Sequence, residues 1–598
     1  MVARNVLRWA LLGFRKVLHS LPDEWRTQLR SQHRLMSFYS RALHTSHLFY
    51  GTLSKDKLQA RYNALMPKQN MQLEALEKEL DNRYRANCLV IVTEVTGLRQ
   101  TLGSVEAAHR IETIFILNCT DTEVLVSQYT QTNLQLLNSA DDMSYELPLI
   151  VMHSSERLHR FAVAGFLSTV NARSSYPSAV ISEQPKLSAP LVITCDTDYI
   201  NEHGLRSEPE CYPNWDPDLQ LSSGYIDTAI VVAGTSLQQA LVDFVITTQH
   251  HRSVSLWLAN LYFSDEQTNF KHVPLTLTHR SATRSIEWYD DLKASGLVGH
   301  WPVSIEFGKA DNNVILQWPL DSNPLVSIII PTRNSKELVQ TCIESILEKT
   351  HYQNYEILLV DNQSDDPNAL AYFKQLDQTQ QKVRILDYPH AFNYAAINNH
   401  AVEQARGEIL AFVNNDIEVI TPEWLSCMVG HVRRHDVGCV GAKLFYPNRR
   451  IQHAGVVLGY GGGAGHAHKY FPDYHSGYLN RLACTNTYSA VTAACLLVLK
   501  SDFNAAGGFN AESLAVAFND VDLCLKILSL GKRNVYCAEA QLFHHESVSR
   551  GSENTPEKRA RFESELAYLK ENWADYIQRD PAYNPNLTLR RENFALKE

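Results

Sequence analysis

The stretch LVSIIIPTRN, at residues 325–334, decides the fold class, because a run of apolar, largely β-branched side chains ends abruptly in a polar turn. Similar apolar runs follow at 355–360 (YEILLV), 383–388 (VRILDY) and 408–413 (EILAFV), with helical patterns at 336–349 and 394–405. Continuous β-branched runs separated by helices are typical of strands that are buried on both faces. The second half of the chain is therefore predicted to be an α/β domain with a mostly parallel sheet.

The first half of the chain repeats this pattern less clearly. Apolar runs at 88–92 (CLVIV), 113–117 (TIFIL), 147–152 (LPLIVM) and 190–194 (PLVIT) alternate with helical patterns. Such alternation predicts a second α/β domain. The Pro- and Asn-containing stretch 312–324 is predicted to be the linker between the two halves.

The composition is that of an ordinary globular protein, with 598 residues, 44% of them hydrophobic and 20% charged, and a formal net charge of −10. These values exclude a disordered or collagen-like chain. No apolar run approaches the ~18 residues of a membrane helix and no signal-peptide pattern opens the chain, so a cytoplasmic protein is expected. The 11 cysteines include no CxxC pair, which favours reduced thiols.

The first 70 residues are strongly basic in an otherwise acidic chain. Leu7, Leu11, Phe14 and Leu18 recur at helical spacing, which predicts a basic amphipathic helix. This helix either contacts an anionic membrane surface, through residues 1–30, or packs on the rest of the chain. Nucleic acid is not expected as a partner, because the acidic body would repel phosphates.

Candidate ligand-binding residues follow three of the predicted strands in the second half. They are Pro331, Thr332 and Asn334 after the first strand, Asp361 after the second, and Asn414, Asn415 and Asp416 after the fourth. In open α/β sheets, ligands bind beyond the carboxyl ends of the strands, so these residues are expected to converge on one edge. The absence of GxxxxGK[ST] and GxGxxG turns excludes a P-loop and disfavours a dinucleotide site. The Gly-rich run 459–465 is predicted to be a flexible loop beside the substrate.

The ordered series VSIIIPTRN, ILLVDNQSDD and LAFVNNDIEV resembles glycosyltransferase family 2, the inverting sugar transferases with the nucleotide-sugar-binding GT-A fold. Later stretches, among them IQHAGVVLG, SAVTAACLLVLK, AFNDVDLCLKI and HHESVSRG, extend the resemblance over residues 325–590. Together they are similar to bacterial enzymes that build O-antigen, rhamnan and other surface polysaccharides.

The resemblance implies a divalent metal site. The family's DxD turn reads Asn414, Asn415, Asp416 here, so Asp416 is the expected ligand of Mg²⁺ or Mn²⁺ and Asn414 is expected to touch the ribose or hold the turn. His544, at the family's metal-binding His position, is expected to complete the site, with His545 as the alternative.

The resemblance also places the donor nucleotide. Pro331 and Thr332 are expected to frame a uracil or thymine ring, and Asp361 to accept the N3–H of that base. Asn334 is assigned a hydrogen bond to the nucleoside, and Asn415 is counted with the donor-binding residues.

Inverting transfer needs a base that removes the proton of the acceptor hydroxyl. The family places it in an acidic pair that opens a helix, matched here by Asn519 and Asp520, so Asp520 is the expected base. On the residues alone, Asp520 is equally well explained as an acid that stabilises a helix N-terminus. Asp522 is predicted to face away from the site.

Other residues are weaker candidates for the same site. Lys443 and Arg550 are candidates for pairing with the diphosphate, and His453, His466 and His468 are unranked candidates for contact with the acceptor.

The first half resembles an altered second copy of the transferase domain. Asp196 and Asp198, in ITCDTDYIN, match the family's DxD acids, and His279 matches its metal-ligand position. The stretch HHRSVSLWLANLYF (250–263), where the acidic pair is expected, contains no Asp or Glu. The copy is therefore expected to be degenerate, unless it recruits another acid such as Asp265 or Glu266.

These observations predict three segments: a basic helical segment at 1–87, a degenerate GT-A-like domain at 88–320 and a catalytic GT-A domain at 325–598. The expected activity is metal-dependent, inverting transfer of a sugar such as rhamnose from a UDP or dTDP donor to a glycan, lipid-linked glycan or protein. The alternatives are a non-catalytic sugar-nucleotide- or glycan-binding assembly protein and a nucleotidyltransferase.

Overall fold

The computed structural model of the protein describes residues 53–93, 97–117, 133–171, 189–264, 268–281, 287–308, 313–320, 322–545 and 555–598. The amphipathic helix predicted within residues 1–30 lies outside the described residues, as do Asp265, Glu266 and Arg550. Among the described residues, no helix is both long enough and apolar enough to cross a membrane.

The first half contains eleven strands and seven helices among the residues that the structure describes. In chain order they are α1 (Lys55–Glu79), β1 (Ala86–Ile91), α2 (Leu98–Glu106), β2 (Ile111–Leu117), β3 (Leu134–Leu136), β4 (Leu149–His153), β5 (Glu156–Leu158), α3 (Ala162–Asn171), β6 (Leu191–Ile200), β7 (Arg206–Glu210), α4 (Pro217–Ser223), β8 (Ile230–Ala233), α5 (Thr235–Thr248), α6 (Ser253–Leu261), β9 (Asn269–Arg280), α7 (Trp288–Ser295), β10 (Ser304–Phe307) and β11 (Val314–Gln317).

The second half continues the numbering. In chain order its elements are β12 (Val326–Thr332), α8 (Lys336–Lys349), β13 (Tyr355–Asp361), α9 (Pro367–Thr379), β14 (Val383–Asp387), α10 (Tyr394–Gln404), β15 (Ile409–Val413), β16 (Ile417–Val419), α11 (Trp424–Val432), β17 (Val437–Phe445), β18 (Ile451–His453), β19 (Val456–Leu458), β20 (Ala464–His466), β21 (Asn486–Tyr488), β22 (Cys495–Leu499), α12 (Lys500–Ala505), α13 (Asn519–Ser529), β23 (Arg533–His544), α14 (Pro556–Asn572) and α15 (Ala574–Gln578).

The main sheet of the second half has the strand order β14-β13-β12-β15-β22-β17-β23-β16. The strands β14, β13, β12 and β15 are mutually parallel, as the apolar runs predict. The sheet is nevertheless mixed, because β22 is antiparallel to both of its neighbours and β16 is antiparallel to β23. The carboxyl ends of β12, β13 and β15 therefore meet at one edge.

The main sheet of the first half has the same arrangement of parallel and antiparallel strands. Its order is β3-β2-β1-β4-β8-β6-β9-β5, with β8 again antiparallel to both neighbours and β5 antiparallel to β9. Strand for strand, β4 occupies the place of β15, β6 the place of β17 and β9 the place of β23. This correspondence identifies which residues of the two halves are structurally equivalent.

Helices cover both faces of the second sheet because successive side chains of each strand point to opposite faces. Ile328 and Ile330 of β12 join a buried cluster with Trp424 of α11, whereas Ile329 packs into another with Ile397 of α10. Burying one such isoleucine contributes about 1.5–3 kcal/mol. The continuous apolar runs are thus explained by burial on both sides.

Two loop predictions are wrong in part. The predicted linker at 312–324 contains β11, which pairs antiparallel with β10, because Val314 and Leu316 are buried against the first half. The predicted flexible loop at 459–465 is the turn of a hairpin in which β19 pairs with β20. A Cβ at its Gly463 would lie 2.7 Å from the end of the Leu566 side chain, so a larger residue there would have to displace that side chain.

The two halves contact each other through a buried cluster of charged side chains. Asp218 of α4 accepts hydrogen bonds from Arg434 (2.5 Å) and Arg533 (2.7 Å) of the second half. Asp436 pairs with Arg533 at 2.5 Å and accepts a hydrogen bond from Tyr262 of the first half at 3.1 Å. Because a buried charge is costly unless it is paired, these contacts favour one fixed arrangement of the halves.

The carboxyl-terminal tail also joins the two halves. Its Asn584 and Asn586 donate hydrogen bonds to Asp196 of β6, at 2.8 Å and 3.0 Å. Asp580 accepts from the N–H of Leu458, at 2.7 Å. The tail is therefore hydrogen-bonded to both main bodies of the protein.

Candidate functional site

The NND turn at 414–416 lies at the carboxyl end of β15. The Asn414 N–H donates to the carbonyl of Ala494, at 3.0 Å, just before β22 begins. Directly after the turn, Ile417 of β16 pairs with His544 at the end of β23. This pairing brings the His544 ring to Asp416, with Nε2 3.2 Å from Oδ1.

Asp520 lies in the first turn of α13, which the sequence predicted to be a helix N-terminus. Its Oδ2 accepts the N–H of Ala493 at 3.1 Å, and its Oδ1 accepts the N–H of Val521 at 2.9 Å. Ala493 is covalently next to Ala494, the residue that binds the NND turn. One short backbone segment therefore holds both the NND turn and Asp520.

Burial raises the pKa of Asp520 above its ordinary value, and hydrogen bonds from Ala493, Thr492 and Val521 offset this only in part. A carboxylate with a raised pKa is a stronger base than a solvated one. That property suits a group that must take a proton from a hydroxyl.

The predicted donor-binding residues lie at the ends of neighbouring strands. Asn415 donates from Nδ2 to the hydroxyl of Thr332, at 3.0 Å, so the NND turn is tied to the end of β12. Pro331, the residue before Thr332, is half-buried in the same strand. The prediction that these clusters converge on one edge agrees with these contacts.

Asp361 and Asn334 organise the turn that follows β13. Asp361 Oδ1 accepts from the N–H and the hydroxyl of Ser364, at 3.0 Å and 2.5 Å. Asn334 Oδ1 accepts the N–H groups of Asp365 and Asp366, at 2.9 Å and 3.0 Å, and its backbone has φ +54°. Asn334 is therefore a turn residue that joins two loops, with its Nδ2 also donating to Asp365 at 2.8 Å.

The sequence of this region matches a known family. The family model described as glycosyl transferase family 2 matches residues 327–495, which include β12, β13, β15 and the NND turn. These residues are a glycosyltransferase family 2 domain. Asp520 and His544 lie beyond the matched stretch, on the elements that complete the same sheet.

Relatives of the family 2 domain extend the comparison. An uncharacterized protein of Sinorhizobium fredii, y4gI, is 42% identical over 420 residues, 68% of this chain and 46% of that protein. The O-antigen biosynthesis protein RfbC of Myxococcus xanthus is 32% identical over 460 residues, 72% of this chain and 34% of that protein. The chain thus spans less than half of the length of these curated relatives.

Solved structures resemble the chain only weakly. The mannosyltransferase PcManGT of Pyrobaculum calidifontis, solved with GDP-Man and Mn²⁺, is 16% identical, with a TM-score of 0.33 over 44% of this chain and 72% of that chain. A score this low carries no argument about the fold, which rests on the strand order described above.

Asp416 and His544 fit a divalent cation in the family 2 domain. Both side chains are buried, and their facing atoms lie 3.2 Å apart. Two ligands that each lie about 2.1 Å from one ion are separated by roughly 3 Å in octahedral geometry. The Nδ1 of His544 is buried without a hydrogen-bond partner, whereas its Nε2 also lies 3.3 Å from the Asn414 amide nitrogen, a contact that coordination through Nε2 would replace.

His453 and His466 form a buried pair beside the site. Their Nδ1 atoms are 2.8 Å apart, and His453 Nε2 accepts the N–H of Gly455 at 3.3 Å. Burial, and then the nearby His544, lowers the pKa of His453 to about 3. Burial also lowers the pKa of His466, and His468 stacks on Phe594 at a ring distance of 4.3 Å.

Three secondary candidates lie apart from the site. The ring of His545 contacts Glu418 at 3.1 Å, and Lys443 is buried with Nζ donating to the carbonyl of Leu482 at 3.0 Å. Lys443 is therefore not available to a diphosphate, contrary to the prediction. Asp522 accepts from Trp573 Nε1 at 2.9 Å, as expected for a residue that faces away.

The prediction that Asp196 and Asp198 correspond to the DxD acids is wrong. Both belong to β6, the equivalent of β17, whereas the equivalent of the NND turn lies between β4 and β5, at Ser154 and Ser155. His279, expected at the metal-ligand position, instead contacts Asp198 at 2.6 Å. Asp198 also binds Arg206, and Asp196 is bound by the tail, so these acids serve packing.

Sequence reasoning missed Tyr394 and the segment that ends at Ala494. The hydroxyl of Tyr394 donates to the Ala493 carbonyl at 3.2 Å and lies 3.5 Å from Asn414 Oδ1. The only sequence signal for this tyrosine was its place at the start of a predicted helix. Backbone groups such as those of Ala493 leave no signal in side-chain identity.

Proposed function

We propose that residues 325–598 are an inverting, metal-dependent glycosyltransferase that transfers a sugar from a UDP or dTDP donor to a glycan, lipid-linked glycan or protein in surface-polysaccharide synthesis. The observation that carries this proposal is the gathering of Asp416, His544 and Asp520 around one backbone segment of a family 2 domain. The name of the relative RfbC supports the polysaccharide pathway.

In the proposed reaction, the acceptor hydroxyl attacks the anomeric carbon as the bond to the diphosphate oxygen breaks. The hydroxyl proton passes to Asp520, whose two oxygens are oriented by the N–H groups of Ala493 and Val521. Thr332 and Asn415 brace the turn beside the donor. A divalent cation held by Asp416 and His544 would neutralise the charge of the departing diphosphate.

Removal of the divalent cation is expected to abolish sugar transfer, and Mn²⁺ or Mg²⁺ is expected to restore it. We expect His544→Ala to raise the Mn²⁺ concentration required for half-maximal rate about tenfold or more. The measurement is UDP or dTDP release from a panel of nucleotide-sugars, before and after chelation.

The matched control is His545→Ala, because this neighbouring ring contacts Glu418 instead of Asp416. Its Mn²⁺ requirement should equal that of the wild type. A chelated enzyme that keeps its full rate would contradict the metal site, and release of pyrophosphate instead of a nucleoside diphosphate would indicate a nucleotidyltransferase.

The rate of transfer is expected to fall in acid at a higher pH than an ordinary carboxyl group would cause. Asp520 acts as a base only when ionised, and burial raises its pKa. The kcat should therefore decrease as the pH falls through this raised value. A pH–rate profile at saturating donor measures it, and a profile that stays flat down to the ordinary aspartate pKa, about 3.9, would contradict the assignment.

We further propose that residues 88–320 are a degenerate transferase domain that supports the catalytic half. The shared strand order favours a common design. The turn between β4 and β5 (154–155) and the start of α6 with the residues before it, HHRSV (250–254), correspond to the NND turn and to the start of α13, and neither stretch contains a carboxylate.

A further inference from the structure

The region of the first half that is structurally equivalent to the proposed catalytic site of the second half is rich in histidine. His153 ends β4, the equivalent of β15, and His250 and His251 precede α6, which leads into β9 as α13 leads into β23. Asp291, on α7, lies against this region. The sequence analysis noted only that this stretch lacks an acid, since Asp291 is 40 residues away along the chain.

The ligand atoms of this cluster are spaced for a metal ion. Nε2 of His250 and Nε2 of His251 each lie 3.6 Å from Oδ1 of Asp291. This separation is too long for a good hydrogen bond. Two ligands at about 2.1 Å from one tetrahedral ion are separated by roughly 3.4 Å. All three ligand atoms lie within 4.8 Å of one another.

The buried side chain of His153 is a second, independent indication that an ion binds here. Its side chain is buried, at 5% exposure, and neither ring nitrogen has a hydrogen-bond partner. The ring interacts electrostatically with Asp227, His250 and His251, so it belongs to the same cluster. Buried polar atoms without partners are rare in native proteins, and they often indicate a position that binds a water or an ion.

Arg252 orients the carboxylates of Asp291 and Asp227. It does not occupy the space between Asp291 Oδ1 and the two histidine rings. It contacts Oδ2 of Asp291 at 3.1 Å and Oδ2 of Asp227 at 3.3 Å. Oδ1 of Asp291 is left facing the two histidine rings. Outer contacts of this kind typically fix the orientation of metal-binding side chains.

We propose that His250, His251 and Asp291 bind a divalent transition-metal ion of the Zn²⁺ class. Two imidazoles and one carboxylate favour Zn²⁺ over Mg²⁺ or Ca²⁺, which prefer oxygen ligands. The ring of His251 is 52% exposed, so the ion can enter from solvent and keep a water ligand. This site differs from the cation site proposed for catalysis and does not depend on the proposed function.

Binding requires one local change. The N–H of Arg252 now donates to His250 Nδ1 at 3.2 Å, so that ring carries its proton on Nε2. Coordination through Nε2 moves the proton to Nδ1 and opens the contact with Arg252. The ion would then link the start of α6 to α7, two helices that are otherwise joined here through Arg252.

The test uses the full chain, freed of metal by chelation and dialysis. Titration with Zn²⁺ against a chromophoric chelator is expected to show a tight site in addition to any ion held by Asp416 and His544, with a rise in Tm because the ion binds the folded state. His251→Ala and Asp291→Asn should each weaken Zn²⁺ binding about tenfold or more. Because the loss of Asp291 also affects Arg252, His251→Ala, at an exposed ring, is the decisive variant.

His351→Ala is the matched control, since His351 is an exposed ring 3.0 Å from Glu423 and belongs to no cluster of three possible metal ligands within the part of the chain that the structure describes. It should bind Zn²⁺ as the wild type does. Co²⁺ in place of Zn²⁺ should give the visible absorption that is typical of a four-coordinate site. The His251→Ala substitution should remove this absorption. Equal Zn²⁺ binding by the wild type and His251→Ala would mean an adventitious ion only and would overturn the proposal.

Discussion

Replacing Asp520 with asparagine is expected to lower the kcat of sugar transfer by about 10²- to 10⁴-fold, with little change in the KM for the donor. The amide is close to the carboxylate in size and can still accept the N–H of Ala493 or Val521, but it cannot take a proton from the acceptor. The measurement is the initial rate of nucleoside diphosphate release in the presence of acceptor.

Asp522→Asn is the matched control, on the same helix. The Asp522 carboxylate accepts from Trp573 and pairs with Lys526 at 2.7 Å, so its change should lower Tm while the folded enzyme keeps its kcat. A wild-type kcat for Asp520→Asn, or an equal loss for Asp522→Asn, would contradict the role of Asp520 as the base.

Replacing Asp218 with asparagine is expected to lower the free energy of unfolding by about 3–5 kcal/mol. The Asp218 carboxylate is buried at 1% exposure between Arg434 and Arg533, and its loss leaves Asp436, 2.5 Å from Arg533 and 3.7 Å from Arg434, as the one acid that pairs with both guanidinium groups among the described residues. Chemical denaturation, monitored by tryptophan fluorescence, measures the change.

The control is Glu74→Gln, which removes an exposed ion pair with Arg160 and should change stability little. An equal effect of both substitutions would show that burial of Asp218 does not matter.

The stability that Asp218 contributes is also expected to depend on pH. Burial alone would raise its pKa, but Arg434 and Arg533 outweigh burial and lower the pKa below its ordinary value. The contribution is therefore fully present above the ordinary carboxyl pKa and is lost as the pH falls toward the lowered one. Stability of the wild type should decline across this acidic range more steeply than that of Asp218→Asn.

Local patterns in the sequence were sufficient for the first elements of the second half. The helix predicted at 336–349 is α8 (Lys336–Lys349), and the four predicted strands are β12, β13, β14 and β15. Periodicity and β-branching report burial within one element, which does not require knowledge of its neighbours. The turn at 414–416 and the helix start at Asp520 could be predicted for the same reason, because each depends on a short stretch of consecutive residues.

Assignments that depended on strand position were less reliable. The spacing of Asp196 and Asp198 imitates a metal-binding turn, but their strand, β6, pairs with β9 and lies two places away from β4 in the sheet. The order of strands in a sheet is set by long-range pairing and packing. A short pattern of acids carries no information about it.

The sequence by itself determined the α/β class, the first four strands of the second sheet and the polar residues that follow them, because each follows from the chemistry of consecutive side chains. Only the tertiary structure decided which of those residues meet. His544 reaches Asp416 through the pairing of β16 with β23, Asp218 meets Arg533 across 315 residues, and Asp291 joins His250 from another helix. Contacts between distant segments arise from the packing of whole elements, which no local stretch encodes.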